Sequence, residues 1–255
     1  MSNTDEIPVG AVLSDEDIKT EMGKAKKAGK APLVGDEKGE PLNFDEQDQR
    51  LLSPSCVDLR VGRIYIGNPE AKQGYHEIRK EGDIWPLAPG AIAHIESREV
   101  ISTPSDIMGL LIPKNRKSEE GLLMLNAGHV DPNWVGFLTA EVMNVTAQDY
   151  TIEIGKPLFS VVFQYLRTLT TRLPTLETDE ERRSRARSMV SKRPTSLHTY
   201  YRDILIKEVE KTFLPKAEYE AKRLRGWTIA GLIFGAVAAL TAVIGLAFLF
   251  WQLAN

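Results

Sequence analysis

A mainly β domain, followed by a charged helical stretch and one membrane-spanning helix, is the architecture this 255-residue sequence predicts. Three observations predict it. Over residues 55–166 short apolar runs are cut by Gly, Pro and Asn, the texture of a β sandwich or jelly-roll-like barrel. Over residues 168–225 glycine disappears, and Glu, Arg and Lys crowd the chain. Over residues 226–255 no charged side chain occurs.

The elements follow in order. Residues 1–10 read as a disordered start. In Leu13-Ser14-Asp15-Glu16-Asp17-Ile18, Ser14 is placed to cap a helix with an acidic first turn, and Gly29 is placed to stop it. Residues 35–48, with Gly35, Gly39 and Pro41, read as loop. The alternation Val57-Asp58-Leu59-Arg60-Val61 predicts a half-buried strand. Further strands are expected at 91–96, 107–112, 136–144 and 158–166, separated by turn signals such as Ala88-Pro89-Gly90, Asp131-Pro132-Asn133 and Ile154-Gly155. Ile204, Leu205, Val209 and Phe213 recur at helical spacing, so 168–225 reads as a charged stalk helix, broken or kinked at Pro194 and Pro215.

The run WTIAGLIFGAVAALTAVIGLAFLFW, residues 227–251, would be about 37 Å long as a helix. That exceeds a hydrocarbon core of about 30 Å. A Trp stands at each end, where its ring suits the headgroup region. Residues 226–252 are therefore expected to cross a membrane. Lys216, Lys222, Arg223 and Arg225 precede the run, so the positive-inside rule keeps the large N-terminal part cytoplasmic. Residues 1–30 are polar and charged, with no signal peptide among them. The lone Cys56 fits a reducing compartment and excludes a disulfide framework or a cysteine-built zinc site. A formal net charge of −3 leaves no nucleic-acid footprint.

Three stretches, taken together and in order, resemble the dCTP deaminase and dUTPase superfamily, the deaminase branch in particular. Val12-Leu13-Ser14-Asp15-Glu16-Asp17-Ile18 is similar to the "LSDxDI" helix of those deaminases. Ser53-Pro54-Ser55-Cys56-Val57-Asp58-Leu59-Arg60-Val61-Gly62 is similar to their "SSVDLRLG" strand. Leu87-Ala88-Pro89-Gly90, then His129-Val130-Asp131-Pro132-Asn133-Trp134-Val135-Gly136, then Thr139-Ala140-Glu141-Val142-Met143-Asn144 resemble "LxPG", "HxDPGWxG" and "xLExxN". The resemblance covers residues 11–167. It implies a distorted, dUTPase-like jelly-roll barrel that assembles as a homotrimer, with pyrimidine nucleotide sites at the subunit interfaces.

Deamination of cytosine needs a water delivered to C4 and a carboxylate to shuttle its proton. Glu141 matches the family's catalytic glutamate. It lies in an otherwise apolar strand, where desolvation would raise its pKa. The alternative is that it points outward on the pleat and is merely solvated. Asp131 matches the aspartate that orients water in the related pyrophosphatases, although Asp-Pro-Asn is also ordinary turn chemistry. Trp134 falls where the family places a bulky residue near the deoxyribose, or else belongs to the core. His129 belongs to the same segment. His76, His94, His129 and His198 lack metal-ligand spacing, which excludes a zinc deaminase site.

The chain departs from the family at Pro113-Lys114-Asn115-Arg116-Lys117-Ser118-Glu119-Glu120-Gly121-Leu122. Relatives carry "GRSSxARxGL" there, whose serines and second arginine hold phosphates. Arg116 and Lys117 replace the serine pair and would still grip a phosphate, or else form a solvated basic turn. Glu120 falls near the arginine, a reversal of charge. The glycine-rich closing segment of the pyrophosphatases is also missing. Two classes of function remain. The first is a non-catalytic sensor of a pyrimidine nucleotide, cyclic or otherwise short in phosphate, that acts on membrane lipid. Its layout is similar to that of bacterial antiphage defence effectors, and Gly231, Gly235 and Ala239 would give its membrane helices a small packing face. The second is a membrane-tethered dCTP deaminase or dUTP pyrophosphatase, with Glu141 or Asp131 as the working carboxylate and Mg²⁺ on the nucleotide phosphates.

Overall fold

Helix α1, Asp15–Lys27, begins where Ser14 predicts. The Asp17 N–H donates to Ser14 Oγ at 3.2 Å, and the Ser14 N–H donates to Asp17 Oδ2 at 2.9 Å, a reciprocal capping box. Ile18 and Met22 are its buried residues, and Gly29 just past its end takes φ 62. The computed structural model describes residues 10–44, 48–68, 70–171, 173–174, 177–192, 246 and 251–252. It forms two compact units, Met1–Tyr200 and Tyr201–Asn255.

The strands of the first unit are β1 Val34–Gly35, β2 Leu52–Ser53, β3 Cys56–Gly67, β4 Tyr75–Ile78, β5 Ile84–Leu87, β6 Ile92–Ser102, β7 Ile107–Pro113, β8 Leu122–Met124, β9 His129–Val130, β10 Val135–Asn144, β11 Tyr150–Glu153 and β12 Pro157–Tyr165. Two further helices are α2, Asn115–Glu119, and α3, Asp179–Val190. Ten strands make one curled antiparallel sheet, a half-barrel in the order β8-β10-β6-β3-β12-β7-β9, with β1 on β6 and both β2 and β4 on β3. Strands β5 and β11 pair separately.

β3 creates the curl because its two halves serve different neighbours. Residues 57–60 pair with β12, residues 61–66 pair with β6, and the register slips between Val61 and Arg63. Gly62 sits at the slip. A Cβ there would lie 2.6 Å from the Ser97 carbonyl oxygen, so only glycine allows the strands to approach this closely. The inner face is apolar, with Leu59, Ile64, Ile95, Ala140, Phe159, Val161 and Phe163 fully or almost fully buried.

The structure revises the expected stalk. Residues 168–225 do not begin as a helix leading away from the β domain. The described residues between 166 and 178 are not helical, and α3 lies on the outer face of the half-barrel. Thr178 caps α3 by a second capping box with Glu181, and Ala186 and Val190 are buried. The physical reason lies in the sheet: Tyr65, Glu96 and Phe137 project outward and need a cover. Residues 1–9 and 193–245 lie outside the described residues, as do Gly231, Gly235 and Ala239. Among the described residues no helix is long and apolar enough to cross a membrane.

Candidate functional site

Strand register decides what faces Glu141. On β10, Leu138, Ala140 and Val142 turn inward, so Thr139, Glu141 and Met143 turn outward. Glu141 stands opposite His94 of β6, and His94 stands opposite Tyr65 of β3. His94 Nδ1 and Glu141 Oε1 are 2.6 Å apart, and both residues are buried. Glu141 thus points outward on the pleat, as one expectation had it, yet it is only 9% exposed rather than solvated. The Glu141 N–H donates to Asn126 Oδ1 at 2.5 Å, which anchors the strand beneath the carboxylate.

The Tyr65 ring tilts against His94 with centroids 5.9 Å apart. Its buried hydroxyl has no hydrogen-bond partner among the described residues. Burial, aided by the nearby Glu96 carboxylate, pushes the phenol well above its usual range, so Tyr65 stays protonated. The result is a carboxylate–imidazole–phenol row across three neighbouring strands. A buried carboxylate bonded to an imidazole is chemically able to pass a proton.

Asp131 and His129 meet each other but do not meet this row directly. His129 Nε2 and Asp131 Oδ1 are 3.2 Å apart, both side chains largely exposed. Thr103 pins the turn between β9 and β10: its hydroxyl donates to the Asp131 carbonyl at 2.6 Å and accepts the Trp134 N–H at 3.0 Å. Asn133 takes φ 62 in that turn, a left-handed conformation that asparagine tolerates.

Trp134 and His129 do share a pocket of about 200 Å3, together with Asn126, Thr139, Arg182 and Arg185. The Arg182 guanidinium lies 4.7 Å from the Trp134 ring centre. Through Asn126, which lines the pocket and holds the Glu141 backbone, the two centres adjoin.

Arg116 and Lys117 lie elsewhere, on α2, and their charge is matched within that segment. Arg116 Nε and Lys117 Nζ donate to Glu120 at 3.1 and 2.8 Å, and the Tyr150 hydroxyl donates to it at 2.7 Å. Lys117 also lies 5.6 Å from the centre of the Tyr150 ring. Lys114, just before α2, is bonded to Asp58, which in turn accepts from Ser160 Oγ at 2.6 Å. The hydrogen bond from Lys117, then that from Tyr150, hold the Glu120 carboxyl down at about 2. Because that value is depressed, the α2–Tyr150 contact is fully present above the ordinary carboxylate range and is lost as pH falls through about 2. The Tyr150 ring resonances should accordingly shift with a midpoint near pH 2. A midpoint near the ordinary value of 4.5 would show that Glu120 does not hold this contact.

The sequence reading missed His94, Tyr65, Asn126, Arg182 and Arg185. His94 falls in the strand expected at 91–96, but the register that sets it opposite Glu141 includes an irregularity between Phe137 and Thr139 that neither strand's pattern shows. Arg182 and Arg185 gave no apolar signal.

Fold and site together define a small mainly β domain whose acid–base pair is built from neighbouring strands of a curled sheet. The dCTP deaminase-like family model matches residues 12–166, and the chain belongs to that family. A dCTP deaminase, dUMP-forming, of Methanobrevibacter smithii is 26% identical over 174 residues, covering 62% of this chain and 82% of the relative. Its counterpart from a Parafrankia species is 31% identical over 147 residues, covering 52% of this chain and 66% of the relative. Among solved structures, 2'-deoxycytidine 5'-triphosphate deaminase from Agrobacterium tumefaciens matches with a TM-score of 0.47 at 16% identity. That match covers 62% of this chain and about half (49%) of the other.

Proposed function

We propose that this protein is a pyrimidine-nucleotide sensor on a dCTP deaminase-like domain, one that binds its ligand without turning it over. The observation that carries this reading is Glu120. It accepts from Arg116 Nε and Lys117 Nζ and stays ionised, so α2 presents a triphosphate with a carboxylate set among its cations. In this reading the domain is a homotrimer. Residues 226–252 anchor it to membrane lipid as a single pass, with the N-terminal part cytoplasmic, and the whole acts as a membrane effector in antiviral defence. The charge-free run supports the anchor, and Gly231, Gly235 and Ala239 supply a small face for close helix packing.

One arrangement favours a second reading, an active membrane-tethered dCTP deaminase or dUTP pyrophosphatase. The buried Glu141–His94 pair is equipped to move a proton, and the curated relatives carry deaminase names. Among the described residues no cluster of three acidic, His or Cys side chains gathers to hold a metal ion. In this reading Mg²⁺ enters on the nucleotide phosphates, as part of the substrate. Full-length protein given dCTP or dUTP with Mg²⁺ is expected to release no dUTP, dUMP or ammonia. Turnover in the usual range of about 1–10³ per second would replace the sensor with the enzyme.

A further inference from the structure

Three buried side-chain polar atoms lie without a hydrogen-bond partner among the described residues, Tyr65 Oη, Arg187 Nε and Arg182 Nη1, and of the three residues Arg182 is the one that lines a pocket with no carboxylate. Its side chain is 9% exposed, and its buried Nη1 has no hydrogen-bond partner among the described residues. Its Nη2 is used, by Asp179 and by the Val135 carbonyl at 3.4 Å. The backbone makes room for this group. Gly136 takes φ 145, and a Cβ there would lie 1.9 Å from Arg182 Nη2. A buried guanidinium donor left without an acceptor is costly and calls for a ligand.

The pocket that Arg182 lines has the complementary chemistry. Its polar lining is Asn126, His129, Thr139, Arg182 and Arg185, and no carboxylate lines it. Arg182 and Arg185 do have acidic partners, Asp179 and Glu177 at 2.8 Å from Arg185, but these two stand outside the lining. Trp134 gives one wall an aromatic face. About 200 Å3 lies below the span of pockets that enclose a whole drug-sized ligand, roughly 300–1,000 Å3. It suits one tetrahedral oxyanion beside an aromatic contact.

We infer that Arg182 and Arg185 of α3 form the phosphoryl pocket of this protein, taking the single phosphate of a pyrimidine nucleoside monophosphate or cyclic monophosphate. The inference rests on the sensor reading and gives it a ligand class. The cations that Glu120 engages on α2 have counterparts here from beyond residue 166, outside the part of the chain the family model matches. A pocket of about 200 Å3 has room for one phosphoryl group, so dCTP should bind more weakly than dCMP.

The test is calorimetric titration of full-length protein with dCMP, cyclic CMP, dCTP and inorganic phosphate as probes. Each charge-assisted hydrogen bond contributes roughly a ten- to hundredfold factor in affinity. Arg185→Gln, a change at a mostly exposed side chain, and Arg182→Gln should each weaken monophosphate binding by at least about tenfold. Arg182→Lys, which keeps the charge, should restore part of it. Arg116→Gln and Lys117→Gln should leave it unchanged, and inorganic phosphate should compete. Monophosphate binding unaffected by either arginine change, or abolished by the α2 changes, overturns the pocket while leaving a sensor standing. Arg182-dependent binding of inorganic phosphate with no nucleotide binding sustains the pocket and removes the sensor. No binding of any probe overturns the pocket.

Discussion

Glu96→Ala should release α3 from the half-barrel while the sheet stays folded. Glu96 is 5% exposed and holds two arginines at once. Arg183 donates to it through Nε and Nη2 at 2.9–3.2 Å, and Arg63 approaches it at 3.1 Å. Removing one partner of a buried ion pair costs about 3–5 kcal/mol, because the remaining charge is left desolvated. Arg63 keeps a second carboxylate, Glu77 at 2.7 Å, so the strands retain their charge balance. Among the described residues, the contact Arg183 keeps is that with the Phe137 ring, and Asp179 acts on it from further off. The loss therefore falls on α3. Hydrogen exchange should show α3 amides opening about a hundredfold or more faster, with β3, β6 and β10 unchanged. Protection retained in α3 would mean that its buried Ala186 and Val190, with the Arg182 and Arg187 contacts, hold the helix without Glu96.

Glu99→Ala, three residues further along β6, should do the opposite and destabilise the whole domain. Glu99 is fully buried and accepts both the Arg60 backbone N–H at 2.7 Å and Arg60 Nε at 2.5 Å. Both donors would be orphaned beside the curl in β3, where β6 and β12 diverge. A cost of about 3–5 kcal/mol is a large share of the roughly 5–15 kcal/mol that holds a domain folded. The midpoint of thermal unfolding should fall by about 6–20 °C, in a single transition. A fall of only a degree or two would show that water reaches Arg60 and replaces the carboxylate.

What could be read from the sequence followed the physics of each segment. The α1 cap, the loop after it and the long strands β3, β6, β7, β10 and β12 were legible, because alternation and turn residues act locally. β3 runs on to Gly67 and β6 to Ser102, further than the apolar pattern alone indicated, because polar residues such as Arg63 and Glu96 are paired under α3. The four-residue strands β4, β5 and β11 carry too few apolar positions to show a period, and β5 contains Pro86. α3 was misread as stalk because its contacts are ionic and aromatic. Its 12 residues contain only Ala186, Met189 and Val190 as apolar side chains, too few for a stripe. The capping box at Thr178 and the outward aromatics Trp134 and Phe137 were the available clues. At the site, Glu141 was found from its motif, while its partner His94 needed a strand register that only the folded sheet fixes.

The way α3 is fastened gives the domain a mechanical asymmetry. β12 is zipped between β3 and β7 by rows of backbone hydrogen bonds, which a pull along the strand must break together. α3 is pinned at separate points, Arg182 near Val135, Arg183 at Glu96 and Arg187 at Glu77. Tension entering along the chain from residue 193 reaches Val190 first and meets these pins one after another, so it peels where the sheet would have to shear. α3 is thus a fuse: it yields at low force, and in yielding it draws Arg182 off Trp134 before any strand is disturbed.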